Sequence, residues 1–370
     1  MNNPSVSKRK QESDDDREPL SNGPKRRRVG NDVSPSRSIY SNGEYTVGWI
    51  CAITTEYVAA QAFLDEEHGR PQFVSIHDNN DYTLGKVGEH NAVIAVLPNR
   101  EYGTSSAASV ARDMLHSFPN VKIGLMVGIA GGAPSREHDI RLGDIVVSTA
   151  SNGKGGVFQH DFGKRIQGQD FQNTGFLNQP PTLLRTTVGG LEAQYELKGH
   201  KLEDAINGIL EKNRRLRKKY KRPEPGSDKL FKAESTHGLA CAAICGDNAS
   251  NLILRPARTQ DEDNPAIHYG LIASANQLMK DALARDRLAK EQDVLYFEME
   301  AAGLMNHFPY LIIRGICDYS DSHKNKEWQR YAAMTAAAYA KDLLYQIPPN
   351  KVEAKKKIGD ILSGNSKVLE

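Results

Sequence analysis

The sequence predicts an α/β fold, with a central mixed, twisted β-sheet flanked by helices in three layers. Three observations lead there. Short apolar runs rich in β-branched residues, such as Leu311–Ile313, read as strands covered on both faces. Between such runs lie segments with helical apolar spacing, including Tyr57–Leu64, Gly189–Tyr220 and Tyr331–Gln346. Carboxylates and small residues then gather just past strand ends, where α/β sheets place their ligands: Glu56, Gly128–Gly132 and Asp318.

Thr46–Ile53 is the first strand, and Thr54-Thr55-Glu56 opens the helix after it as a simple N-terminal capping arrangement. Tyr82–Val87 and His90–Leu97 are two adjacent strands punctuated by Gly85 and Gly88. Asn99–Ala108 turns into an Ala-rich helix whose first N–H groups attract anions; Arg100 and Thr104 are its candidate contacts, Arg100 otherwise being a surface residue. Lys122–Val127 is a buried strand running into a Gly-rich turn at Gly128–Gly132, where small residues let a ligand reach the backbone. Leu142–Ser148 is another strand, with Asp144 as a turn residue.

A chain of 370 residues holds two average domains or one large α/β domain, and 39% hydrophobic residues supply a sizeable core. A net charge of +2 gives no global reason to expect nucleic acid as a specific partner. Cys51, Cys241, Cys245 and Cys317 show no disulfide framework, which points to a reducing compartment. Cys241 and Cys245 with His237 have the wrong spacing for a zinc knuckle, so they read as buried small hydrophobes; no metal and no cofactor is expected. No apolar run reaches membrane-spanning length, and no signal peptide is visible.

Residues 1–44 are polar and charge-blocked, and are expected to form a disordered basic arm. Its clusters Lys8–Lys10 and Lys25–Arg28 read as a bipartite nuclear-import signal or as a solvated tail. The expected location is intracellular, nuclear if the signal operates and otherwise cytoplasmic. Residues 45–347 form the main domain, with an insertion at about 165–265, and residues 348–370 a polar tail. The basic run Lys212–Arg222 is a solvated helix end or a polyphosphate-facing lip, and Arg255 and Arg258 form a second basic pair.

The stretch that organises the chain is Phe297-Glu298-Met299-Glu300-Ala301-Ala302-Gly303 followed by Arg314-Gly315-Ile316-Cys317-Asp318-Tyr319-Ser320-Asp321. Alone, Asp318 would read as a helix cap; paired with Glu300 it reads as acid/base chemistry. FEMEAAG and RGICDYSD together resemble the purine nucleoside phosphorylase and nucleosidase superfamily over roughly residues 45–347, and especially the phosphorylase-like domains of fungal multidomain proteins carrying ankyrin repeats or NTPase receptors.

The resemblance implies a phosphorylase/hydrolase-like fold and a set of roles. Asp318 would protonate the purine at N7, and Met299 and Glu300 would hold the ribose, with Glu298 beside them. Glu56 would activate the attacking water, although the two acidic residues that precede it in the family are Thr54 and Thr55 here. Ile129, Ala130 and Gly131 would form the ribose and nucleophile loop, with Ile129 replacing a hydroxyl that helps hold an anionic nucleophile. Ala275, Asn276 and Gln277 would form the base loop; Asn276 and Gln277 read a base edge or satisfy loop backbone. Apart from the resemblance, the basic groups Lys212–Arg222 and Arg255 with Arg258 would grip 5′-phosphates. Burial would keep Asp318 protonated for its task.

The implied activity is hydrolysis of a purine, above all adenine, N-riboside or its 5′-phosphates. A purine nucleoside phosphorylase, kept open by Arg100, and a nucleotide-sensing module without turnover are the competing readings. A homodimer or higher homo-oligomer is expected by the same resemblance.

Overall fold

A ten-stranded mixed sheet organises the protein. The computed structural model describes residues 40–366 except 152, 176, 236–248, 260, 309 and 325. The strands are β1 (Val47–Cys51), β2 (Glu66–Glu67), β3 (Tyr82–Val87), β4 (His90–Val96), β5 (Ile123–Gly132), β6 (Ile145–Ser148), β7 (Val157–Gln159), β8 (Gly163–Lys164), β9 (Gln172–Asn173), β10 (Ile267–Ser274), β11 (Val294–Glu298) and β12 (Tyr310–Asp318). The helices are α1 (Thr54–Ala62), α2 (Thr104–Ser117), α3 (Thr182–Lys198), α4 (Leu202–Lys212), α5 (Arg214–Tyr220), α6 (Ala282–Gln292), α7 (Gln329–Gln346), α8 (Pro349–Glu353) and α9 (Ile358–Ser366).

The sheet runs β11-β10-β6-β12-β5-β1-β4-β3-β2, with β7 beside β10, and β8 and β9 pair separately. β1, β5 and β12 are fully or almost fully buried, as expected of parallel strands covered on both faces. β5 pairs with β12 along its length, and its end also meets β11 antiparallel, Gly131 opposite Phe297 and Gly132 opposite Tyr296. That pairing closes part of the sheet into a ring. It brings the ends of β5, β11 and β12 together, and with them Gly131, Glu298 and Asp318.

Gly128–Gly132 is therefore strand, where a Gly-rich turn was expected. Small residues serve here to let neighbouring chain come close. The Ala-rich α7 packs on β5, β12 and α1 for the same reason, offering little side-chain bulk to hold it off.

Three sequence expectations need revision. The domain begins before residue 45: Tyr40 packs against His68 with ring centroids 4.3 Å apart, and Asn42 Nδ2 donates to the carbonyls of Phe73 and Ser117, both at 2.7 Å. The polar tail carries α8 and α9, with Val352 and Ile358 buried and Lys122 paired to Glu353 at 2.7 Å. The helical stretch to Tyr220 is three helices, α3 to α5. Gly199 at φ 67° ends the first, and Asn213 caps the last, its side chain accepting from the N–H groups of Arg215 and Leu216. Residues 1–39, with both basic clusters, and His237, Cys241 and Cys245 lie outside the described residues. Cys51 and Cys317 are buried free thiols. No helix among the described residues is long and apolar enough to cross a membrane.

Removing residues 1–39 leaves the Tyr40 and Asn42 contacts in place and serves as the reference. Removing residues 1–44 deletes the Tyr40 and Asn42 contacts and should lower the melting temperature. Equal thermal stability of the two truncated proteins would contradict the revised boundary.

Candidate active site

Arg314 stands at the centre of the site. It lies within β12, fully buried, after the apolar run Leu311–Ile313. An arginine so placed needs carboxylate partners. Its Nη2 lies 2.7 Å from Glu298 Oε2 and 3.1 Å from Glu300 Oε2, and its Nη1 lies 3.9 Å from Glu56 Oε1. Three carboxylates thus share one guanidinium. The sequence reading gave Arg314 no role; its signal was a charged residue inside an otherwise apolar strand.

Each carboxylate is positioned by different backbone. Glu56, in the first turn of α1, accepts from the N–H of Ala52 (2.6 Å), Ile53 (3.1 Å) and Ile129 (2.8 Å). It thereby ties the end of β1 to β5. Glu298, ending β11, accepts from the N–H of Glu300 and Ala301 as well as from Arg314. Both of its oxygens accept, so it shapes the Met299–Glu300 turn. Glu300 accepts from the N–H of Gly103 at 3.3 Å, just before α2. Gly128 has no room for a side chain: a Cβ there would collide with Arg314 and Glu56.

The surplus of negative charge shows in the titration of the cluster. Burial pushes the Glu300 carboxyl up to about 7, Arg314 opposing and Glu298 and Glu56 adding to the rise. Burial also raises Glu56, against Arg314 and the three N–H donors.

Asp318 ends β12 and is buried. Its Oδ1 accepts from the N–H of Ser320 at 3.0 Å, and Ser320 Oγ donates to the Gly131 carbonyl at 2.8 Å. Its Oδ2 lies 2.9 Å from Lys324 Nζ. The expectation of an acid kept neutral by burial alone thus meets a cation at contact distance. Gly131 is again a close approach: a Cβ there would lie 2.6 Å from Asp318 Oδ1. Met299, Gly131 and Gln277 line one small cavity with Asp318, Phe297 and Lys324. Ile129 and Ala130 lie beside it on β5. Ala275 is fully buried, its N–H donating to the Glu298 carbonyl at 3.2 Å.

Several candidates serve other purposes. The Asn276 side chain caps α2, its Oδ1 accepting from Thr104 N–H (3.0 Å) and Thr104 Oγ1 (3.1 Å). Arg100 is exposed, at φ 70°. Arg255 and Arg258 do not present free guanidinium groups to a phosphate. Arg255 pairs with Asp228 (3.1 Å) and Asp139 (3.3 Å) and donates to Tyr319 Oη (2.6 Å). Arg258 pairs with Asp144, a buried turn residue that also accepts from His268 and from the N–H of Arg141 and Ala266. Both arginines fasten the insertion to the ends of β6 and β12. The basic residues of α5 are exposed on the surface.

A pH profile tests the carboxylate cluster. Glu300 sits above its ordinary value of 4.5, at about 7. Its contribution to stability is therefore present below the ordinary value and lost as pH rises through about 7. Chemistry that needs the ionised form should strengthen over the same interval. kcat/KM is expected to rise toward pH 7 and above while the melting temperature falls, and Glu300→Gln should remove most of the latter trend. A wild-type melting temperature that climbs over that interval would contradict the cluster's charge state.

The large mixed sheet flanked by helices defines the class of α/β protein, and sequence comparison gives its family. The chain matches the model of the Phosphorylase superfamily over residues 46–345 and belongs to that superfamily. It is 46% identical over 310 residues to a nucleotide-binding leucine-rich repeat (NLR)-like protein of Hyaloscypha variabilis, covering 84% of this chain and 30% of that relative's length. It is 23% identical over 312 residues to a 5′-methylthioadenosine/S-adenosylhomocysteine nucleosidase of Mycobacterium bovis, covering 82% of this chain and 97% of the nucleosidase. Two solved nucleosidases share the fold. That of Neisseria meningitidis, in complex with methylthio-immucillin-A, has a TM-score of 0.51 at 17% identity, covering 81% of this chain and 98% of its own. That of S. pneumoniae, with the transition-state inhibitor MT-ImmA, has a TM-score of 0.50 at 16% identity, covering 82% and 100%.

Proposed function

We propose that this chain hydrolyses the N-glycosidic bond of a purine nucleoside, with adenosine or its 5′-phosphates (AMP, ADP, ATP) as substrate. The observation that carries the reading is the group of three buried carboxylates around Arg314. A phosphate nucleophile needs convergent cationic donors, and here it would meet surplus negative charge. Water carries no charge, and Glu56 is a base with a raised affinity for its proton.

The roles follow from position. The glycosidic bond breaks through an oxocarbenium-like ribose. Glu300 accepts from the ribose hydroxyls and, ionised, stabilises the cation forming beside it. Asp318 neutralises the departing purine at N7. Glu56 orients and deprotonates the water on the opposite ribose face, and Arg314 holds Glu56 and Glu300 in register across the sugar. Incubation with adenosine, AMP, ATP, inosine and guanosine, with product identification, tests this directly. Free adenine from at least one adenine substrate is expected, and no base release from any substrate would overturn it.

The grip on 5′-phosphates, if Arg255 and Arg258 are committed elsewhere, falls to α5. Tyr220, the last residue of α5, contacts the Thr55 carbonyl at 3.5 Å, one residue before Glu56. The helix carries Arg214, Arg215, Arg217, Lys218 and Lys219. Replacing Arg217 and Lys218 with Ala is expected to raise KM for ATP several-fold, leave KM for adenosine unchanged, and weaken the salt dependence of the ATP reaction. Identical shifts for both substrates would assign α5 to solvation alone.

A second reading rests on the NLR-like relative, of which this chain spans 30%. There the domain would bind a nucleotide to report its presence. Saturable nucleotide binding without base release distinguishes it.

A further inference from the structure

Lys324 lies six residues beyond Asp318, and the family reading assigned it nothing. Its Nζ is 2.9 Å from Asp318 Oδ2; the Lys324 side chain is 26% exposed and that of Asp318 4%. Both line the cavity that also holds Met299, Phe297, Gly131 and Gln277. The chain between them is shaped for the contact. Ser320 adopts φ 53°, a conformation that a residue with a side chain visits only when surrounding bonds hold it. Those bonds run from Ser320 N–H to Asp318 Oδ1 and from Ser320 Oγ to the Gly131 carbonyl. Burial alone would draw a proton off the Lys324 amine, but the Asp318 carboxylate more than offsets this and raises its proton affinity.

This arrangement poses a chemical problem. Asp318 is paired with an ammonium, and the proposed reaction needs a proton delivered to the leaving base. The Cys317 thiol also lies against Asp318, its Sγ 3.4 Å from Oδ2, but the Lys324 ammonium is closer, at 2.9 Å. The ammonium is the proton source that the structure places in contact.

We propose that Lys324 is the positioning residue that charges Asp318, so that the acid of the reaction is the Lys324–Asp318 pair. The inference rests on the hydrolase reading. As the C1′–N9 bond breaks, its electron pair passes to the purine, and N7 takes a proton from Asp318. Asp318 is supplied by the Lys324 ammonium, which becomes a neutral amine. Glu56 takes the proton lost by the attacking water. Once the base has left, solvent returns a proton to the amine and removes one from Glu56, so the cycle closes without a co-reactant. A low-dielectric site suits the transfer, because it narrows the gap between the ion pair and the neutral acid–amine pair.

Two variants test this. Lys324→Arg keeps the charge and the ion pair, but a guanidinium does not surrender its proton. Lys324→Met removes both. Both variants are expected to lose roughly a hundredfold in kcat on the purine substrate, the scale of a general acid, with KM within a few-fold of wild type. On p-nitrophenyl β-D-riboside, whose leaving group needs no proton, the rate relative to wild type should be largely kept. The Lys324→Arg melting temperature should match wild type. A Lys324→Arg protein with wild-type kcat on the purine would overturn the inference and reduce Lys324 to a charge partner. Equal losses on both substrates would also overturn it, as the mark of a structural defect. In either case Asp318→Asn would remain inactive, leaving the hydrolase reading intact. A wild-type protein without base release from any nucleoside would remove that reading and this inference together.

Discussion

Asp318→Asn is expected to lower turnover by about two orders of magnitude or more, with the melting temperature held near wild type, because general-acid catalysis contributes on that scale. The amide fits the same space at the end of β12 and can still accept from the Ser320 N–H through its oxygen. It cannot carry a transferable proton, and it loses the charge that holds Lys324 at 2.9 Å. Measured kcat on the best purine substrate, with a thermal melt on the same preparation, checks both halves. An Asp318→Asn protein with wild-type rates would remove Asp318 from the chemistry. One that is inactive and also unfolded would call for Asp318→Glu, which keeps the acid and displaces it.

Arg314→Met is expected to have the largest effect on stability. The substitution leaves Glu56, Glu298 and Glu300 buried together without a cation. Removing one partner from a buried ion pair costs about 3–5 kcal/mol, since a charge is left uncompensated. Denaturant unfolding near pH 8, where Glu300 is more fully ionised, should register a loss of that order, and a smaller one near pH 5, where protons relieve the crowding. Glu300→Gln should show the contrast: turnover falls sharply while stability at pH 8 holds or improves, because one of three like charges has gone. Equal destabilisation by Arg314→Met at both pH values would mean that the carboxylates are not competing for this guanidinium.

The parts of the fold that were legible in the sequence are those with strong local signals. Tyr82–Val87 and His90–Val96 were readable because apolar, β-prone runs punctuated by Gly85 and Gly88 mark a strand pair. Asp318 and Glu300 stood out through their motifs, and both are buried in the structure. What escaped was set by distant partners. The strand character of Gly128–Gly132 comes from pairing with β12 and β11, which no local propensity reports. Asn276 turned out to cap a helix that starts 172 residues earlier in the chain. Arg255 and Arg258 looked available because their carboxylates, Asp228, Asp139 and Asp144, are far from them in sequence. Arg314 was hidden in plain view, inside a motif recognised for its aspartate, although a charge in an apolar strand is itself a sign of a buried partner.

The central claim is that water, not phosphate, takes the ribose. The most direct measurement is turnover of adenosine and ATP in rigorously phosphate-free buffer containing ¹⁸O-labelled water, with products taken by mass spectrometry before the sugar exchanges. Free adenine and ribose, or ribose 5′-triphosphate, carrying one labelled oxygen at C1′ is the predicted result, at a rate that added phosphate does not change. Turnover that begins only when phosphate is added, with ribose 1-phosphate as the product and no label at C1′, would contradict it.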